Sequence, residues 1–262
     1  MTHGVPGDMT PNGSDAPPTT IATPARTRRY EGQPVASRSA EIPEVIPRER
    51  NEAASRTFNF AIAALALLLS SPVLILLAIA IKLTSRGPIL YAQTRVGLDR
   101  RWRSTLALRE RRLEDLGGQV FTIYKFRTMR VDAERGSGAV WAQVNDPRVT
   151  WLGRYMRILR LDELPQFWNV LLGDMNVVGP RPERPSIVSR LREDIPEYQC
   201  RHRVKPGITG LAQINQRYDA SLDDVRAKVS WDLRYINEQG MWLDCVILLK
   251  TVPSVLLRYR GW

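Results

Sequence analysis

The run Phe58-Asn59-Phe60-Ala61-Ile62-Ala63-Ala64-Leu65-Ala66-Leu67-Leu68-Leu69-Ser70-Ser71-Pro72-Val73-Leu74-Ile75-Leu76-Leu77-Ala78-Ile79-Ala80-Ile81-Lys82-Leu83 decides the architecture of this chain. It is almost wholly apolar, and as a straight helix it extends about 39 Å at 1.5 Å per residue, enough to cross a bilayer. A membrane-inserted helix over 51–86 is the expectation. Its middle, Ser71-Pro72, lacks one backbone donor and sets a ring against the preceding turn, which predicts a kink. Arg48, Arg50 and Arg56 precede the run, and Lys82 and Arg86 follow it. Positive charge at both ends leaves the positive-inside rule without a direction. Two readings stand: a kinked spanning helix, since membrane helices tolerate proline, or a re-entrant helix with both ends on one face.

Upstream, residues 1–50 are rich in Pro, Thr, Gly, Ser and Arg and carry no hydrophobic period, the composition of a disordered basic tail. No apolar core follows the first few residues, so this stretch does not read as a signal peptide. The full 262 residues suit one catalytic domain, expected over 87–262, with an appendage. A net charge of +11, carried mostly by arginine, favours phosphate-bearing partners: nucleic acid, anionic lipid or a nucleotide-sugar diphosphate. Cys200 and Cys245 have no metal-ligand spacing and make no disulfide framework. With His3 and His202 the only histidines, acid–base and nucleophilic chemistry falls to carboxylates.

Downstream, Ile89–Val96 and Val120–Thr128 have strand composition and predict an antiparallel hairpin, joined by a charged, helix-prone connection over 100–116. Residues 148–161 form a helical pattern with Trp151, Leu152, Tyr155, Ile158 and Leu159 on one stripe and Arg154, Arg157 and Arg160 beside it, suited either to a membrane interface or to a soluble core. Asp162 continues that stripe and should face inward. Met241–Leu257 is apolar but interrupted by Asp244, Lys250 and Pro253, so it reads as packed or interfacial rather than spanning.

Chemistry concentrates in Leu161-Asp162-Glu163-Leu164-Pro165-Gln166-Phe167-Trp168-Asn169-Val170. Consecutive acids on one helix diverge by about 100°, but Pro165 disfavours helix at Leu164 and suits the first turn of a new one. The acids therefore sit at a junction, where free N–H groups favour a carboxylate or a phosphate; a simple capping role for Asp162 is the alternative. Arg181, between Pro180 and Pro182 in Gly179-Pro180-Arg181-Pro182-Glu183-Arg184-Pro185, is presented with little ordering cost for a bidentate phosphate contact. Lys125 and Arg127 alternate at a strand end, so both would point to one sheet face and add to the phosphate pocket, or be solvated there. Lys205-Pro206-Gly207-Ile208-Thr209-Gly210-Leu211-Ala212-Gln213 allows close backbone approach to a ligand, which makes Lys205, Gly207, Thr209, Gly210 and Gln213 nucleotide-loop candidates. Asn145-Asp146-Pro147-Arg148 reads as an Asx-type turn, with no catalytic role for Asp146.

These motifs, with Lys125-Phe126-Arg127-Thr128-Met129, resemble over roughly residues 55–262 the bacterial sugar transferases, the monotopic polyprenyl-phosphate phosphoglycosyl transferases that start lipid-linked glycan and exopolysaccharide assembly. The resemblance implies a mainly α fold with a small antiparallel β-hairpin, interfacial amphipathic helices, and a re-entrant helix broken at Ser71-Pro72. It implies a sugar-1-phosphate transfer from a UDP-sugar to polyprenyl, typically undecaprenyl, phosphate. In it Asp162 is the nucleophile that forms an aspartyl-phosphosugar and expels UMP, Glu163 is a catalytic partner and Mg2+ ligand, and Arg181, Lys125 and Arg127 bind phosphate. The implied place is the cytoplasmic face of the bacterial inner membrane, with lipid but no nucleic acid as partner and a homodimer left open. The long 97–119 connection departs from the family's short turn.

Two rival readings belong to other classes: a basic membrane-tethered binding module without catalysis, and a bitopic scaffold whose apolar helix spans fully. Both leave the Asp-Glu, Gly-Pro-Arg-Pro and Lys-Pro-Gly motifs without a purpose.

Overall fold

The apolar run folds as part of α1 (Glu52–Thr84), 33 residues capped at its start by the Asn51 side chain, which accepts from the Ala54 N–H. The computed structural model describes residues 45–101, 115–133, 146–216 and 221–257, all within the unit Ala40–Trp262. Most of the expected tail, the 102–114 part of the charged connection and Asn145 lie outside the described residues. Helix α1 runs as one helix through Pro72, and Ser71 Oγ donates to the Leu68 carbonyl one turn back (2.8 Å).

The middle of α1 is bare, with Leu65, Leu68, Leu69, Ile75 and Leu76 all exposed, while both flanks are packed. On one flank Ala63 joins Ile123, Val170, Met175 and Val177; on the other Leu77 and Ile81 join Phe126 and Met156. Polar contacts reinforce the first flank. Asn59, buried in an otherwise apolar helix, accepts from the Val177 N–H, and Arg56 donates to the Val170 and Leu171 carbonyls.

The expected hairpin is present: β1 (Leu90–Val96) pairs antiparallel with β2 (Val120–Phe126), from Leu90 opposite Phe126 to Val96 opposite Val120. A second pair was not expected. Strand β3 (Asn176–Val178) lies parallel to β4 (Gly207–Thr209), each three residues long and too short to show a period in sequence. The predicted amphipathic helix appears as α2 (Trp151–Ile158), with Thr150 as its cap. Gly153 and Met156 face the core, and Trp151, Tyr155 and Leu159 stand in the open. Three of the five stripe residues therefore point away from the protein interior, while Leu152 packs against the Leu77, Ile81 and Met156 cluster.

After β3 come α4 (Pro185–Asp194), a 3-10 segment Pro196–Arg203, then α5 (Leu211–Asn215), α6 (Leu222–Glu238) and α7 (Met241–Leu257). The core between them holds Val178, Val204, Tyr235, Ile236 and Ile247. Asp244, in the first turn of α7, is buried and accepts from Tyr235 Oη (2.8 Å) and Arg50 (3.3 Å), which ties α7 to α6. Among the described residues α1 alone is long and apolar enough to cross a membrane.

Candidate active site

Asp162 and Glu163 occupy a 3-10 turn, Leu161–Glu163, between α2 and α3 (Gln166–Leu172). Arg160, which opens this turn, has φ 56°, the one positive φ on a non-glycine among the described residues. A left-handed arginine costs on the order of 1 kcal/mol, and such strain gathers where a site requires it. Here it turns the chain sharply enough to bury both acids. Pro165 then starts α3, and Asn169, fully buried, locks that helix to β2 by accepting from Tyr124 N (3.1 Å) and donating to Thr122 O (2.7 Å).

The two carboxylates differ in surroundings. Glu163 is gripped from two sides: Lys125 Nζ donates to Oε1 at 2.8 Å, Arg181 forks onto both oxygens, and Arg160 stands 3.9 Å off. Burial alone would raise its pKa, but Arg181 and Lys125 outweigh burial and hold it well below the usual range. Asp162 accepts no hydrogen bond from the described residues. Burial, then the charge of Glu163, push it up to about 6 against the pull of Lys125, Arg157 and Arg160. One acid is locked as an anion; the other, tied to no cation by a hydrogen bond, titrates just below neutrality. A carboxylate that no protein cation engages is the more available to attack an electrophile.

Arg181 is held from behind. The β3–β4 ladder continues into its loop through Gly207 N–H to Pro180 O (2.9 Å), and Arg201 Nη2 donates to the carbonyl of Arg181 itself (3.0 Å). Arg201 is 1% exposed, ion-paired to the equally buried Asp232 (2.7 Å) and hydrogen-bonded to Tyr198 Oη (2.8 Å). Arg95 donates to Pro182 O, and Glu183 is pinned by Arg95 (3.2 Å) and Lys228 (3.0 Å). Reading the sequence missed Arg95, Arg201, Lys228 and Asp232. The signal for Asp232 was available: it follows Val225 and Val229 on the face of α6 that continues to Ile236, an acid placed on a core stripe.

The remaining candidates are distributed unevenly. Lys125 reaches the dyad. Arg127 does not share its environment, because β2 ends at Phe126 and the guanidinium turns to the end of α1, donating to Ser85 O (3.0 Å) and Ser85 Oγ (2.6 Å). The expected shared sheet face fails for that reason. The glycines of the Lys205–Gln213 loop are tight against protein rather than open to a ligand: a Cβ on Gly207 would lie 2.1 Å from Gly179 N, and one on Gly210 2.2 Å from Gly179 O. Thr209 Oγ1 meets Thr251 Oγ1 (2.8 Å) and Gln213 Nε2 donates to Ile208 O (2.8 Å), so both brace the loop. Lys205 has its pKa lowered by burial and by Arg56, Arg100 and Arg50, which places it in the field of residues around the start of α1. Asp146 accepts from the Arg148 N–H (2.9 Å), the expected Asx turn.

The donor set suits a hard divalent cation only in part. No group of three or more His, Cys, Asp or Glu side chains converges among the described residues, and both Glu163 oxygens already carry cations. The carboxylates of Asp162 and Glu163 can serve an ion such as Mg2+, which commonly takes one or two carboxylates and fills its shell with substrate phosphate and water.

The fold places a buried Asp-Glu pair beside an arginine loop, next to a long, bare apolar helix. The bacterial sugar transferase family profile matches residues 50–258, and the chain belongs to that family. It is 42% identical over 201 residues to a UDP-N-acetylgalactosamine-undecaprenyl-phosphate N-acetylgalactosaminephosphotransferase of Aeromonas hydrophila, covering 77% of this chain and 43% of that one. It is 41% identical over 204 residues to a UDP-glucose:undecaprenyl-phosphate glucose-1-phosphate transferase of Escherichia coli K12, covering 77% of this chain and 40% of the relative. A Caulobacter vibrioides protein of the same name is 39% identical over 213 residues, 80% of this chain and 73% of its own. This chain thus spans about two fifths of the length of the first two relatives.

Proposed function

We infer that this protein is a phosphoglycosyl transferase that moves a sugar-1-phosphate from a UDP-sugar to a polyprenyl phosphate, as the first membrane step of a glycan or exopolysaccharide. The observation that carries the reading is the asymmetry of the dyad: Asp162 without a hydrogen bond, beside Glu163 with its charge neutralised by Lys125 and Arg181. The Asp162 carboxylate attacks the phosphorus that bears the sugar. A bond from carboxylate oxygen to phosphorus forms, the bond to the bridging oxygen breaks, and UMP leaves with that oxygen. The acceptor's phosphate oxygen then attacks the same phosphorus and restores the carboxylate. Arg181 and Lys125 supply cationic donors beside the reacting phosphate, held in place before substrate arrives. Mg2+, held through Asp162 or Glu163 and the substrate phosphates, would offset the charge of two anionic reactants.

The same reading makes α1 re-entrant. Residues Asn59 and Ala63 and residues Leu77 and Ile81 all pack on the strand and helices around the dyad, on either side of a bare helix middle. A helix that spanned fully would have to carry that polar body through the bilayer with it. With both ends on one face, the exposed stripe of α2 and the bare middle of α1 lie in lipid, and the dyad sits at headgroup depth on the cytoplasmic side of the inner membrane.

The test is UMP release by purified protein given polyprenyl phosphate, Mg2+ and either UDP-N-acetylgalactosamine or UDP-glucose, the donors named for the relatives. UMP formed with one donor, lost in Asp162→Asn and on chelation, is the expected result. UMP release that survives Asp162→Asn overturns the covalent mechanism.

A further inference from the structure

Around the dyad Lys125, Arg181, Arg95, Lys228 and Arg201 each have an acid. Arg127 has none. It is 6% exposed, one nitrogen bonds Ser85, and Nε and Nη1 are buried with no hydrogen-bond partner. No carboxylate lies within ion-pair distance of it among the described residues. Its guanidinium lies against Gly87, where φ is +122° and a Cβ would lie 2.2 Å from Nη1. A buried guanidinium with two unmet donors is costly unless something accepts from them.

Arg127 lines a cleft of about 250 Å3 together with Arg86, Arg130, Ser85, Thr150 and Asp132. Three guanidinium groups face one carboxylate, and that carboxylate is occupied with Arg130 (3.7 Å). The cleft is therefore cationic, and planar forks of this kind match the oxygens of a phosphate. Its position selects the carrier of that phosphate. The cleft lies at the end of α1 with the exposed Val131 on its wall, and two further exposed apolar residues stand close to lining positions in the chain: Leu83, two residues before Ser85, and Trp151, next to Thr150. A soluble anion has no use for such a border, whereas a lipid brings apolar chains with its phosphate.

We propose that the Arg86–Arg127–Arg130 cleft at the end of α1 is a binding site for the phosphate group of a membrane lipid, separate from the dyad. The proposal rests on the membrane placement of α1 and not on the transfer chemistry. The lipid phosphate completes the hydrogen bonds of Arg127 and anchors this end of the helix at headgroup level.

Native mass spectrometry of the full chain in neutral detergent tests it, with added phosphatidylglycerol, polyprenyl phosphate, or diacylglycerol as the phosphate-free control. The wild type should retain one phosphate lipid at least tenfold over diacylglycerol. Arg127→Gln should lose that retention, and the double variant Arg86→Gln/Arg130→Gln, changed at surface positions that spare the core, should lose at least fivefold with an unchanged melting temperature. A preference for polyprenyl phosphate over phosphatidylglycerol marks the site as one for the acceptor; equal retention marks it as one for bulk phospholipid. Retention unchanged in the folded double variant, or equal for diacylglycerol, overturns the proposal. Binding is read without turnover, so an inactive transferase that still retains lipid would sink the reaction and leave the site standing.

Discussion

Asp162 combines two demands that conflict, since a nucleophile must be ionised while burial opposes ionisation. The folded chain holds its proton more tightly than the unfolded chain, with the pKa moved from 3.8 to about 6. The sign of the linkage follows: the cost to stability is absent below about pH 4 and complete above about pH 6. Asp162→Asn should therefore abolish UMP release yet raise unfolding stability at pH 7.5 by on the order of 3 kcal/mol, a benefit that vanishes near pH 4 in thermal melts. The wild-type rate should fall on an acid limb centred near pH 6, as a pH profile of the first half-reaction would record. Glu163 behaves in the opposite way. Glu163→Gln leaves the partly buried Lys125 and Arg181 without their acid and should destabilise by about 1–3 kcal/mol in the same melts. The stripe through Tyr155 and Ile158 did not account for the burial, since Tyr155 stands exposed while both acids are buried, but the presence of two adjacent acids before a proline was legible. Their division of labour was not, because the cations that make it come from positions 38 residues before and 18 residues after Glu163.

The elements around the site serve mainly to hold Arg181. Short strands β3 and β4 press so closely that Gly179 and Gly207 have no room for a side chain, which is why two loops remote in sequence act as one part. Gly207→Ala should force the strands apart and cost stability and activity together, by more than about 1–3 kcal/mol of overpacking in chemical denaturation. Asp232→Asn acts at one further remove: it strips Arg201 of its counter-charge and frees the Arg181 carbonyl. A fall in kcat larger than any rise in KM, with little loss of helix content, is the expected signature of a misplaced donor. The antiparallel hairpin and α2 were readable because each carries its own period over seven or eight residues. The parallel pair was not, since three residues hold too little pattern, and the glycines that suggested a ligand approach were answering to a neighbouring backbone instead.

For the molecule as a whole, α1 sets the frame. If the helix re-enters, cysteines introduced before Phe58 and after Arg86 are both labelled from the cytoplasmic side in sealed membranes; labelling from opposite sides means that it spans. Pro72→Leu, which restores an unbroken apolar run, should shift a measurable share of molecules to the spanning arrangement and lower activity in proportion. The sequence by itself determined the apolar helix, the hairpin, the location of the acids and the rigid arginine loop, because each is a local pattern of hydrophobicity, proline or charge. Only the tertiary structure decided which cations meet which acid. It drew Lys125 to Glu163 and sent Arg127, two residues on, to Ser85, since the strand ends between them and the alternation of faces ends with it. It also brought both flanks of α1 onto one body, a contact between residues far apart along the chain that no local period encodes.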